Sequence, residues 1–116
     1  MIRSTIARVD LAALKANFAA IRSYVSNENG RTPPAIIGVV KANAYGHGAP
    51  RVALALQEAG ATMLACADIE EGIVLRQAGV RVPILVFGAL SVSDLDGLFE
   101  FAQTPTISTP GAAMST

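Results

Sequence analysis

The chain has no tryptophan, one cysteine and one histidine in 116 residues. With Cys66 alone there is no internal disulfide, and with His47 alone no Cys/His pair has the spacing of a zinc site, so no metal centre is expected. Neither charge is in excess: nine basic and nine acidic side chains leave a formal net charge of zero. No block of like charge occurs, so a nucleic-acid surface or a polybasic membrane patch has no support. No apolar run is long enough to span a bilayer, so no membrane role is expected. The opening MIRSTIARVD reaches Asp10 before any long apolar core, which is not the pattern of a secretory signal. The expected compartment is a reducing cytoplasm.

What the chain does have is apolar residues, 52% of the total. A small domain buries only part of its surface, so this surplus points to further partners, either more chain or another subunit. Residues 4–9, STIARV, alternate as a short strand. Asp10 then has the chemistry of a helix N-cap, and Leu11, Leu14, Phe18, Ile21 and Val25 follow as one helical stripe. NENGRTPP (27–34) is a cluster of turn residues. AIIGVV (35–40) is too short and too uniformly apolar for a surface helix, and the expectation is a strand buried on both faces.

The same alternation continues. Pro50 to Ala59 is a helix with proline in its first turn and Gly60 as its stop. TMLACA (62–67) is a second buried strand. Asp68 caps the next helix, with Glu71 as capping-box partner and Gly79 at its end. VPILVFG (82–88) is a third strand. Ser91 and Asp94 repeat the cap pattern before LDGLFEFA, and TPTIST (104–109) is a fourth strand. Strands alternating with helices over short connections specify βαβ units, a parallel sheet and right-handed crossovers. With no helix after the fourth strand to cover it, the architecture looks unfinished at Thr116.

The chemistry concentrates in VVKANAYGHG. Lys41 stands at the carboxyl end of its strand, where parallel sheets and β/α barrels bind ligands. An apolar wall behind a lysine removes hydration and favours the neutral amine, a nucleophile or base. The plain alternative is a strand-end lysine that reaches into water. After Lys41 come Ala42 and Ala44, Gly46 and Gly48, and one phenol, Tyr45. Glycines allow tight turns and close approach to a ligand. Tyr45 can donate to an anion such as a phosphate, or pack against a helix. The lysine precedes the glycines and no Ser or Thr follows it, so this is not a Walker loop.

VVKANAYGHG closely resembles the cofactor-lysine signature of the alanine racemases. ARVDLAALKANFAAIR, ADIEEGIVLRQAG, VPILVFGAL and TPTIST resemble further segments of that family. The resemblance covers about the first third of a typical member. It implies an α/β fold, a partial (β/α)8 TIM-type barrel with its first three to four βα units, preceded by an N-terminal strand and helix. A full barrel takes ~250 residues, so residues 1–116 correspond to the N-terminal part of the barrel domain, without the rest of the barrel or the C-terminal β domain.

The resemblance further implies pyridoxal 5'-phosphate as cofactor, attached through Lys41, with Tyr45 at its phosphate end. It implies alanine as substrate, a homodimer, and interconversion of L- and D-alanine for the bacterial cell wall. Lys41 would exchange a proton on one face of the alanine Cα, and a tyrosine of the partner subunit on the other. The chain's two tyrosines, Tyr24 and Tyr45, cannot be that second base, since one lies in the first helix and the other in the cofactor loop. The chain alone is therefore expected to be an incomplete, inactive portion. A non-catalytic pyridoxal-phosphate-binding barrel and a degenerate structural remnant are the alternatives. His47 is expected to make a structural hydrogen bond within the loop, Cys66 to be a small core residue, and Phe87, near the carboxyl end of the third strand, to help line the cofactor cleft. Glu70 and Glu71 are explained by the helix dipole and receive no catalytic role.

Overall fold

A computed structural model describes residues 3–26, 34–88 and 95–107. Helix α1 (Leu11–Ser26) precedes strand β1 (Ile37–Val39), a short helical turn α2 (Lys41–Tyr45) and helix α3 (Ala49–Ala59). Strand β2 (Met63–Cys66), helix α4 (Ile69–Gln77), strand β3 (Ile84–Val86), helix α5 (Leu95–Glu100) and strand β4 (Gln103–Pro105) follow. The boundaries are where the local chemistry sets them. The Asp10 carboxylate accepts the Ala13 N–H at 3.0 Å. The Asp68 carboxylate accepts the Glu71 N–H at 2.8 Å. Gly60 closes α3 with φ 111°, a left-handed conformation that favours glycine.

The four strands are parallel and lie in the order β1-β2-β3-β4. Because the order never reverses, right-handed crossovers put every connecting helix on the same face of the sheet. This distinguishes one sector of a barrel from a doubly wound sheet, in which the order reverses and both faces are covered. Register places Gly38, Leu64 and Ile84 side by side. They share the helix-covered face with Val40, Cys66 and Val86. All of these except Gly38 are almost fully buried, together with Leu56 and Leu75. Each large side chain buried in this way contributes roughly 1.5–3 kcal/mol. A Cβ on Gly38 would stand 3.0 Å from both Leu56 and Leu64, so its absence lets α3 close on β1.

The other face corrects one expectation. Strand 35–40 is buried on one face only: Ile37 is 47% exposed and Val39 37%. Phe87, of the same alternation, is exposed as well. Between them Ala65, on the same face, is fully buried, so the exposure belongs to β1 and to Phe87. A second correction concerns residues 4–9. They form no strand, and Ile6 is 69% exposed, because no described strand lies beside them to pair with. The α1 stripe is used only in part. Phe18 is buried and Leu11 and Leu14 pack on the core, while Ile21 is exposed. The expected caps Ser91 and Asp94, most of the 27–34 turn and the end of the fourth strand fall outside the described residues.

Candidate active site

Lys41 follows β1 after one residue, Val40, whose N–H continues the ladder to Ala65 O at 2.8 Å. The next four residues are unusual. Ala42, Asn43, Ala44 and Tyr45 have φ of 51, 56, 55 and 55°. Together they form a left-handed helical turn, which costs L-residues about 1–2 kcal/mol each. The sequence suggested only a loop of small residues. Short side chains suit the turn, but alanine carries no left-handed signal, and only Asn43 is a residue that visits this region with some ease.

Several interactions offset the strain. Ala44 N–H donates to Val40 O at 3.0 Å, and Gly48 N–H to Asn43 O at 3.0 Å. The Asn43 side-chain oxygen accepts the Ala49 N–H at 2.8 Å and so holds the first turn of α3. The Ala44 methyl is buried. The remaining support comes from α4. Glu71 Oε2 accepts the Ala42 N–H at 3.0 Å, and Glu71 Oε1 accepts the Ala67 N–H at 2.6 Å. Glu71 was expected to close a capping box on the Asp68 N–H. It reaches one residue further back instead, and across to the lysine turn.

The other expected residues fall around this turn. Lys41 is exposed, and no described side chain pairs with its amine; the desolvation expected for it is not provided by these residues. Tyr45 is 59% exposed. With Val39 and His47 it borders a cleft of about 450 Å³ that runs toward residues 8–17 and does not include Lys41. His47 Nδ1 lies 3.1 Å from Ala44 O, the hydrogen bond within the loop that was expected of it. Cys66 is fully buried, and its thiol donates to Asp68 O at 3.3 Å. Burial first, and then the Glu71 and Asp68 carboxylates, push the pKa of this thiol up to about 12, so it is a core residue and not a nucleophile. Phe87 stands exposed just past β3. Among the described residues no group of His, Cys, Asp and Glu is placed to hold a metal ion, and no helix is long and apolar enough to cross a membrane.

Lys41, the strained turn and Tyr45 thus follow one another at the carboxyl end of a barrel-type sheet, the end at which β/α barrels place their chemistry. Residues 9–115 match the family described as alanine racemase, N-terminal domain. The chain belongs to this family. It is 41% identical over 113 residues to the alanine racemase of Halothermothrix orenii, covering 97% of this chain and 28% of that protein. To alanine racemase 2 of Bacillus subtilis it is 46% identical over 93 residues, covering 80% of this chain and 22% of that one. Among solved structures it superposes on the alanine racemase of Clostridium difficile with TM-score 0.81 at 33% identity, over 90% of this chain and 27% of that one. The Bacillus anthracis enzyme with bound L-Ala-P gives TM-score 0.81 at 37% identity, over 91% and 26%. The chain thus spans about a quarter of the length of these alanine racemases, and its parallel α/β sheet is the first sector of their barrel.

Proposed function

We propose that residues 1–116 are the N-terminal part of the barrel domain of a pyridoxal-phosphate-dependent alanine racemase and carry the cofactor-attachment end of its site. The observation that carries this reading is the exposed Lys41 amine, leading into a strained turn that ends in an exposed phenol. The donor set suits the cofactor, since it offers one amine for an aldehyde and one hydroxyl for a phosphate. The backbone that follows Tyr45 is open as well: a Cβ on Gly46 or Gly48 would meet nothing within 4 Å. Pyridoxal 5'-phosphate supplies, when bound, that aldehyde and a conjugated ring that spreads negative charge from a substrate Cα.

The chain's own residues then have separate tasks. Lys41 would hold the cofactor through its amine, and its Nζ would move a proton on one face of alanine Cα. Tyr45 would donate its hydroxyl hydrogen to the cofactor's phosphate end. Asn43 is engaged by the Ala49 N–H and keeps α3 in place behind the turn. A second base for the opposite face is not among these residues, and a tyrosine of a partner subunit in a homodimer would supply it. The setting is a cytoplasmic enzyme that provides D-alanine for the cell wall.

A chimera tests this reading. The 116 residues replace the matching segment of the Halothermothrix orenii enzyme, and alanine α-proton exchange in D2O is followed by NMR. The chimera is expected to exchange and racemise alanine. Its Lys41→Ala variant should lose about 10²–10⁴-fold in rate, the usual scale for a proton-transfer group. The 116-residue chain alone should show no exchange above background. A folded, cofactor-loaded chimera without racemisation would overturn the proposal.

A further inference from the structure

We propose that Glu71 is a positioning residue that sets the aim of Lys41 by clamping the first peptide of the left-handed turn. The inference rests on the reading of Lys41 as the cofactor lysine. Three observations carry it. First, both carboxylate oxygens are engaged by backbone N–H groups at the ends of two different strands: Ala42, just past β1, and Ala67, just past β2. A glutamate that served only the α4 dipole would need neither bond. The cap of α4 is already made by Asp68. Second, Ala42 is the residue next to Lys41 and the first of the four with positive φ. The turn's own backbone bonds begin at the Ala44 N–H, and the Ala42 N–H finds its acceptor in Glu71. Third, a cleft of about 190 Å³ bordered by Val40, Asn43, Glu71 and Leu75 lies between the turn and α4. The carboxylate bridges a gap that packing leaves open.

A loop lysine samples many directions through its side-chain torsions and through the backbone that carries it. Fixing the Lys41–Ala42 peptide removes the backbone share of that freedom, and a better-aimed nucleophile reacts faster than a swinging one. Glutamate suits this role by its length. Aspartate is one methylene shorter and cannot span both N–H groups. Glutamine keeps one acceptor oxygen and presents a donor to the other N–H.

The chain contains a built-in reference for the test. Its only lysines are Lys15 and Lys41, and Lys15 is paired with Glu58 at 2.8 Å on the α1–α3 surface. The 116-residue chain and its Glu71→Ala, Glu71→Asp and Glu71→Gln variants are incubated with pyridoxal 5'-phosphate and reduced with borohydride. The label at Lys41 relative to Lys15 is read by mass spectrometry. Amide exchange at Ala42 is read by NMR, with Leu64 and Ile84 as core references. Glu71→Ala should speed Ala42 exchange about tenfold, the equivalent of one lost hydrogen bond. It should lower the Lys41 to Lys15 ratio about threefold or more, with the core amides still protected. Glu71→Asp should resemble Glu71→Ala, and Glu71→Gln should fall between Glu71→Ala and the unmodified chain, so the test survives if one variant fails to fold. Unchanged Ala42 exchange in Glu71→Ala overturns the clamp. Faster exchange with an unchanged label ratio overturns the positioning role. If the unmodified chain labels both lysines alike, the reading of Lys41 as the cofactor lysine falls, and the clamp stands or falls on Ala42 exchange.

Discussion

The two ends of the sheet are held by one helix in opposite ways. Helix α4 carries Glu71 in its first turn and Arg76 in its last, each with the charge that the helix dipole favours there. At the amino end of the strands, the Arg76 guanidinium donates to Val80 O at 2.9 Å and Val82 O at 2.8 Å ahead of β3. It donates also to Phe101 O and Ala102 O, both at 3.0 Å, ahead of β4. Burial lowers its pKa, though a guanidinium remains charged at any ordinary pH. At the carboxyl end the Glu71 carboxylate gathers two N–H groups around a turn that is strained and exposed. One end gathers four carbonyls of two loops on a single guanidinium. The other holds a costly conformation next to a reactive amine. This is the division that β/α barrels show between a stability face and a chemistry face.

The largest expected effect comes from breaking the amino end. Arg76→Ala removes the donor for four carbonyls at once and should cost about 3 kcal/mol, since bonds to a charged group are worth roughly 1.5–3 kcal/mol each and are not additive. A urea titration of the chain measures it. Arg76→Lys should recover only part, because a point charge cannot reach two loops as a planar fork does. A loss under about 1 kcal/mol would mean that water replaces the arginine readily and that the two ends do not differ as argued. Between the ends, Gly38→Val should cost about 2 kcal/mol by overpacking. Its side chain would press on Leu56 and Leu64, already 3.0 Å from an added Cβ. A neutral substitution would show that α3 is not seated closely on β1.

The two ends also differ in how far the sequence discloses them. The helices and strands were legible because their signals are local: Asp10 and Asp68 as caps, Gly60 and Gly79 as stops, short apolar runs between. The place of Lys41 past the end of β1 was legible because a charge directly follows an apolar run, but that position alone suits a lysine reaching into water equally, and its reading as the cofactor lysine came from the resemblance of VVKANAYGHG. Glu71 was hidden by a sufficient explanation nearer at hand, since its spacing from Asp68 is that of a capping box, while its bond to Ala42 spans 29 positions. Arg76 was hidden for the same reason, because a cation in the last turn of a helix already satisfies the dipole. The bare sheet face was read as buried because hydrophobicity reports the need for cover and not the presence of it. The exposed segment 4–9 failed as a strand by the same logic: alternation gives a strand its faces, but a partner must supply its hydrogen bonds.

The smallest effect tests the strain itself. Ala42 has φ 51° and an exposed side chain, so little but its backbone geometry is at stake. Replacing it with glycine removes the left-handed cost of about 1–2 kcal/mol and adds about 0.5–1 kcal/mol of extra freedom to the unfolded chain. Ala42→Gly should therefore raise stability by about 0.5 kcal/mol, read as a small increase in urea midpoint at constant slope. Most substitutions in a folded chain destabilise, so even a modest gain is diagnostic. The Leu64 and Ile84 amides should exchange no faster in this variant, because they belong to the central strands and not to the turn. A loss of stability instead would mean that the turn is relaxed in these surroundings, and that Glu71 holds a peptide that would keep its shape without it.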